Sequence, residues 1–276
     1  MLLLACVFMA WIAPAAGQTS VDAKPCQFYH IQKSALLQCI EEDDTTYEKN
    51  MLQLMWPVML NGKDCGNLQQ ELINSLVSRD DIHQLDQAVN YYLYTNVEGL
   101  PIDSLSKCSL IDDGSIVDSW RTTITSCVLE LKSLNERFAT LHLFDYMYFA
   151  GAAHGQYADT YLTYDLELNK IVTIQDVVNN LEALRPAILQ SIKLNYEFTE
   201  DNMFLPEDGL PPIPSCFYVD EGTLHIVYQP YEITGFAQGT IDVPLSIIYP
   251  IDENIPEHIT SYGKEVIKES LAIGVW

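Results

Sequence analysis

One amphipathic helix restricts this chain more than any other segment. From Leu181 to Phe198, the residues Leu184, Ile188, Ile192 and Tyr196 recur at four-residue steps, so one face is apolar and must be buried. Pro186 is expected in its first turn, where proline is tolerated. The flanking sequence supplies a sheet for that face. Tyr157 to Leu168 reads as a strand with Tyr161, Thr163 and Asp165 on one side, closed by a tight turn at Asn169-Lys170. Thr173 with Asp176 opens a short helical step. Beyond the helix, Glu207 to Pro214 holds four prolines or glycines and must be a loop. Cys216 to Val219 and Thr223 to Gln229 form a hairpin across Asp220-Glu221-Gly222, and Gly239 to Ile247 is a last strand.

The first half follows the same logic. Tyr47 to Leu60 ends in an apolar strand run in which Pro57 predicts an edge or a bulge. Leu68, Leu72, Ile73 and Leu76 have helical spacing. Asp80 or Asp81 caps a second helix, with Ile82, Leu85, Ala88, Val89 and Tyr92 on one face. Tyr91, Tyr92 and Tyr94 are expected to pack rather than bind. Ser119 to Lys132 and Ser133 to Tyr148 read as consecutive strands with a turn at Ser133 to Glu136, and Glu257 to Ile273 as a terminal helix. The expectation is an α+β fold with a largely antiparallel sheet and helices packed on one face.

The start of the chain reads as an export signal. Leu2 to Ile12 is an apolar core, and Ala13-Pro14-Ala15-Ala16-Gly17 is a small-residue cleavage region. The apolar run is short of the ~20 residues that span a bilayer. The expected organisation is a signal peptide (1–17), an N-terminal subdomain (18–115), a C-terminal domain (116–252) and a helical tail (253–276). The mature chain is then exported, periplasmic or secreted, and has no stable membrane span.

An oxidising compartment permits disulfides among Cys26, Cys39, Cys65, Cys108, Cys127 and Cys216, with fifteen pairings open and Cys26–Cys39 the local candidate. The absence of Cys-x-x-Cys argues against zinc or thioredoxin-like chemistry. The formal net charge is −24, from 38 acids and 14 bases. Nucleic acid is therefore excluded as a partner, because phosphate contacts need Lys and Arg. A basic protein is favoured in encounter rate.

Catalytic signatures are missing: there is no Gly-x-Ser-x-Gly elbow, no His-Glu-x-x-His, and no phosphate-cradling Gly-rich loop. No cofactor, metal or catalytic residue is assigned. Two groups of candidate binding residues remain. His154, between Gly151 and Gly155, is either a general base or ligand oriented by Asp159 or Glu232, or a strand-end histidine bonded to backbone. Tyr228, Tyr231, Glu232 and Phe236 form an aromatic-rich loop, bounded by Pro230, Gly235 and Gly239. Tyrosines there serve either as interface anchors or as a structural corner. Acidic clusters at Glu41 to Asp44, Asp112-Asp113 and Glu197 to Asp201 lack a calcium-loop pattern and read as solvated faces.

Three segments carry a family resemblance: Gly151-Ala-Ala-His-Gly155, the Tyr164-Asp-Leu turn, and Tyr228-Gln-Pro-Tyr-Glu-Ile through Ala237-Gln-Gly239. Their order and spacing resemble the RsiV-like C-terminal domain family. This module is found in the anti-sigma factor RsiV and in the non-catalytic region of the peptidoglycan deacetylase PdaC. A weaker similarity reaches back to Trp56-Pro57. The resemblance implies a non-catalytic envelope binding protein, with a basic protein such as lysozyme or a cell-wall glycan as partner. Sigma-factor control and deacetylation are not implied, because the segments that perform them have no counterpart here. The alternative is an envelope-glycan hydrolase or deacetylase-like enzyme using His154 with acidic partners.

Overall fold

The computed structural model describes residues 25–41, 44–95, 108–198, 202–214, 216–247 and 250–271. The expected leader lies outside the described residues. The chain divides into two compact units, one formed by residues up to 129 together with 146–155, the other by 130–145 and residues from 156 onward.

The first unit is built on a long hairpin, β1 (Gln27–Glu41) and β2 (Asp44–Leu60), paired antiparallel from Glu41–Asp44 back to Gln27–Met59. Sequence patterning marks β2 but not β1. The register slips between Gln27 and Phe28, and Phe28 pairs with Pro57. Pro57 thus borders a bulge at Val58, a position where proline's missing N–H is tolerated. A short β3 (Lys63–Asp64) folds back on β2. Then come α1 (Gly66–Val77), α2 (Leu85–Thr95), the edge strand β4 (Cys108–Ile111) and β5 (Thr122–Leu134), giving the order β4-β1-β2-β5. β5 runs parallel to β2. α1 buries Leu68, Leu72, Ile73 and Val77, and α2 buries Ala88, Val89, Tyr92 and Leu93. Each large side chain so buried contributes about 1.5–3 kcal/mol. One polar group crosses this core: the Asn50 side-chain amide donates to the Leu93 carbonyl at 2.8 Å and its oxygen accepts from the Thr125 hydroxyl. The helix expected from Asp80 or Asp81 begins at Leu85 instead. Asp81 is occupied by a two-pronged bond from Arg79, at 2.7 and 2.6 Å.

A disulfide does form, but the local candidate Cys26–Cys39 is replaced by Cys39–Cys108. The reason is register: Cys39 lies directly opposite Cys108 across β1 and β4. Cys26 sits at the other end of β1, where its thiol donates to Asn61 Oδ1. Cys26, Cys65, Cys127 and Cys216 stay outside the bridge. Burial pushes the Cys65 thiol up to about 11.

The second unit continues β5 and adds β6 (Phe138–Tyr148, its last residues belonging to the first unit), β7 (Gln156–Asp165) and β8 (Lys170–Ile171). The β5–β6 turn falls at Asn135 to Arg137, later than expected, because Asn135 Oδ1 accepts from the backbone of Arg137 and Phe138 at 2.9 and 2.7 Å. α3 (Ile174–Val177) opens with the expected capping box of Thr173 and Asp176. α4 (Leu181–Asn195) starts after an Asn180 cap, which places Pro186 inside the helix rather than in its first turn. The loop after it is pinned by Arg185, which donates to the carbonyls of Pro211 and Leu210 and pairs with Asp208.

A three-stranded antiparallel sheet follows, β11 (Ile241–Ser246), β10 (Thr223–Tyr228) and β9 (Cys216–Asp220) in that order. Glu221 and Gly222, both at positive φ, make the two-residue turn of its hairpin. Leu184, Ala187, Ile188 and Ile192 of α4 join Val219, Leu224, Ile226, Val243 and Leu245 in one apolar cluster. The final helix, α5 (Ser261–Glu269), is shorter than expected at both ends. It is fastened by Tyr262 and Glu265, which reach Asp165 and Arg137 at 2.8 and 2.6 Å. The α+β class and the mostly antiparallel sheet are as the sequence predicts.

Candidate functional site

Strand alternation gives the β9–β10–β11 sheet two unlike faces. Leu224, Ile226 and Tyr228 enter the apolar cluster. His225 pairs with Tyr218 and with Pro244, and Val227 pairs with Asp242, so these residues occupy the opposite face. There His225 Nδ1 meets Asp242 Oδ1 at 2.8 Å, and the Tyr218 hydroxyl donates to Asp242 Oδ2. Burial opposes ionisation of Asp242, but these bonds outweigh it and hold its carboxyl below the usual range.

A matching arrangement is contributed by β6 and β7. His142 Nε2 meets Asp159 Oδ1 at 2.7 Å, and the Thr240 hydroxyl donates to Asp159 Oδ2 at 2.6 Å. Again burial is outweighed, and Asp159 is held low. The rings between the two pairs form a continuous stack: His142 on Tyr161 at 4.5 Å, Tyr161 on Tyr218 at 4.3 Å, Tyr218 on His225 at 4.4 Å. The Lys132 ammonium lies 4.7 Å from the Tyr218 ring centre and 5.8 Å from that of Tyr161. Burial raises both tyrosine hydroxyls, aided by neighbouring carboxylates, so both stay protonated. Cys216 donates its thiol to the Asp159 carbonyl and is itself pushed up to about 11 by burial and by Asp159 and Glu232. A thiol in that state is a weak nucleophile at neutral pH.

The loop between β10 and β11 is seated on this framework. The Gln229 side chain grips the Asp159 backbone from both sides, accepting from its N–H at 2.8 Å and donating to its carbonyl at 2.7 Å. Glu232 Oε2 accepts from the Gln229 N–H at 2.6 Å. Gly239, at φ +73°, ends the loop where a Cβ would come 3.0 Å from the Tyr157 hydroxyl. An aromatic ridge runs outward from β6: Phe144 to Tyr157 at 5.7 Å, Tyr157 to Phe236 at 5.7 Å, Phe236 to Tyr231 at 5.9 Å. Tyr231, at its tip, is 56% exposed and holds φ +71°. For a bulky residue that backbone conformation is strained.

The sequence-derived candidates therefore separate. Tyr231, Glu232 and Phe236 share the loop. Tyr228 does not join them at the surface: it is fully buried, and its hydroxyl donates to the Pro212 carbonyl. His154 belongs to the first unit, is exposed, and its Nδ1 lies 2.8 Å from the Gly155 carbonyl. Of its two suggested carboxylate partners, Asp159 is engaged by His142 and Thr240, and Glu232 by Gln229. Sequence reasoning passed over His142, His225, Asp159 in its true pairing, and Asp242. The available signal was aspartate inside two strand segments, where aspartate is depleted unless something holds it.

Residues 170–247 match the model of a family described as protein of unknown function (DUF3298). No curated protein matches the chain. Among solved structures it is similar to a member of the DUF3298 family from Bacteroides fragilis NCTC 9343, with a TM-score of 0.69 and 18% identity over 91% of this chain and 99% of that one. It is also similar to a DUF3298 family protein from Pseudomonas aeruginosa PAO1, with a TM-score of 0.55 and 12% identity over 87% of this chain and 97% of that one. At these identities the likeness concerns the fold. The chain thus has the fold of two solved DUF3298 proteins, with the family's own match lying on the segment that holds β8 to β11 and the Tyr231 loop.

Proposed function

We propose that this chain is a non-catalytic binding protein of the bacterial envelope, recognising a basic protein of the lysozyme kind through the Tyr231–Phe236 loop. One observation carries the reading: Tyr231 is held out to solvent in a strained backbone conformation, propped by Phe236 on a bonded framework. Strain of this kind persists only where the surroundings over-determine it, and it concentrates at binding sites. The ring offers a large, rigid contact with a polar tip. The charge of −24 supplies the long-range attraction to a basic partner. The resemblance to the RsiV-like family supports the same reading, as does the disulfide, which suits an extracytoplasmic compartment.

Titration calorimetry of the purified chain against a basic lysozyme tests it. Binding is expected at low salt, weakening between 0.1 M and 1 M salt as the Debye length falls from ~10 to ~3 Å. No heat at tens of micromolar protein removes lysozyme, and the same titration with peptidoglycan fragments then tests the glycan partner. A hydrolase reading has one specific support, the His142–Asp159 pair, in which the carboxylate fixes the imidazole as in general-base sites. Glycan hydrolysis lost in His142→Ala would favour it.

A further inference from the structure

A second cluster of chemically capable side chains lies in the first unit, far in sequence from the Tyr231 loop. Cys39 on β1 is flanked on one side by Cys108 of β4 and on the other by Thr46 of β2. Glu48 is two residues beyond Thr46, on the same face of β2 and diagonal to Cys39. Three strands therefore bring two sulfurs and a carboxylate to one point. A Glu48 oxygen and the two Sγ atoms all lie within 4.8 Å of one another. Glu48 Oε2 is sealed from solvent and has no hydrogen-bond partner among the described residues. A buried carboxylate oxygen without a partner is costly, and an ion bound beside it is one arrangement that satisfies it.

We propose that, when the disulfide is reduced, Cys39, Cys108 and Glu48 bind one thiophilic divalent cation of the zinc class. The donor set decides the class. Two thiolates and one carboxylate suit zinc or cobalt in tetrahedral geometry, with a fourth position for an outside ligand. Calcium and magnesium need six or more oxygens, or octahedral water-rich shells, and are excluded. The chemistry balances as an exchange between two states. In the oxidised protein the two sulfurs are bonded to each other. A dithiol supplies the two electrons and two protons that convert them to two thiols as it becomes a disulfide; a phosphine supplies the two electrons and becomes its oxide, with water giving the oxygen and both protons. Metal binding then releases both thiol protons as two sulfur–metal bonds form, while Glu48 Oε2 gains the partner it otherwise lacks. Disulfide and metal are mutually exclusive, so the site reports the redox state of its compartment. Bound metal would also shield both thiols from premature oxidation or mispairing with Cys26 or Cys65.

The full chain, reduced anaerobically with a phosphine, is titrated with Co(II) while thiolate-to-cobalt charge-transfer and tetrahedral ligand-field bands are recorded. One cobalt per chain is expected, displaced by zinc, with no band from the oxidised protein. Alkylation mapped by mass spectrometry should show Cys39 and Cys108 protected in the presence of zinc. Glu48→Gln keeps both cysteines and the disulfide, and should weaken binding tenfold or more. The proposal is overturned if the reduced chain gives no saturable band, if the band persists in the Cys39→Ser/Cys108→Ser double variant, or if Glu48→Gln binds as tightly as the parent.

Discussion

The two units solve the same problem with different chemistry. In the first, the edge strand β4 is joined to β1 by a covalent bond between Cys39 and Cys108. In the second, strands and helices are tied by carboxylates that each collect several donors. Asp165 is the fullest case: it is fully buried and accepts from Arg137 Nε and Nη2, the Tyr262 hydroxyl, and the backbone N–H groups of Glu167 and Leu168. Asp159 and Asp242 repeat the device at the candidate site. A covalent tie is indifferent to protons and sensitive to electrons; a carboxylate hub is the reverse. The two units should therefore fail under different conditions.

That contrast can be broken most directly at its two strongest points. Asp165→Ala leaves Arg137 still paired with Glu265 but strips the acceptor from the Tyr262 hydroxyl and from the Glu167 and Leu168 N–H groups; at roughly 1–3 kcal/mol for each donor left unsatisfied, unfolding free energy is expected to fall by about 3–5 kcal/mol. Opening the Cys39–Cys108 bridge, which spans 69 residues, should lower it by ~4 kcal/mol in the chain-entropy model. Urea unfolding with and without reductant measures both. Equal sensitivity of Asp165→Ala and parent to reductant would show that the two ties act independently; a bridge with no effect would remove the covalent half of the comparison.

Acid sharpens it next. Asp165, Asp159, Asp242 and Asp176 all have folded pKa values below their ordinary range, through bonds that outweigh the cost of burial. A depressed folded value means stability that is complete above the unfolded value of about 4 and is lost as pH falls through the folded values. Melting followed by Tyr fluorescence from pH 7 down to 2 should show this loss, reduced in Asp165→Asn. A pH-independent melting temperature would count against the carboxylate hubs.

Tyr231 gives a smaller and opposite-signed effect. Replacing it with glycine relieves the positive φ and should raise stability by about 1 kcal/mol. The same change should speed dissociation of a bound partner by ~2 kcal/mol if the ring is an anchor. A variant that is less stable, or that binds as well as the parent, would return the loop to a purely structural role. His154→Ala is the least consequential. Because the ring is exposed and bonded to a neighbouring carbonyl, its loss should change stability by less than about 0.5 kcal/mol, below the ~1 kcal/mol that a buried hydrogen bond would cost.

Much of the second unit was legible because its signals are local. The four-residue step of α4, the Thr173–Asp176 capping box and the Glu221-Gly222 turn are each decided within a few residues of sequence. β1 was missed because Ser34-Ala35-Leu36-Leu37 interrupts its alternation, and burial of consecutive residues Ala35, Leu36 and Leu37 is set by its neighbours. The Cys39 partner depends on the β1–β4 register, which no local pattern encodes. His142 and Asp159 are separated by 17 residues and meet only because β6 and β7 bring them to one place. The sequence places Tyr228 both in the Thr223–Gln229 strand and in the aromatic loop group; it is the last residue of β10, and strand alternation turns it inward, away from the loop's other candidates. Local chemistry names elements; cross-strand chemistry names sites.

The parallel pairing of β2 with β5 has a consequence for how the chain reaches this state. β1 and β2 are consecutive and can zip from the Glu41–Asp44 pair as soon as both are made. Asn50 and Thr125, opposite one another on β2 and β5, are 75 residues apart. Non-local strand pairing of this kind is slow, because loop closure must precede the contacts that reward it. During that interval β2 carries an open edge next to the apolar run Met51 to Leu60, the kind of template on which other chains can pair. The hazard is kinetic: it exists from the moment the hairpin forms until β5 arrives. A chain that emerges slowly, strand by strand, would dwell in that interval for the synthesis time of the segment between them, and a holdase that masks β2 would be most useful then.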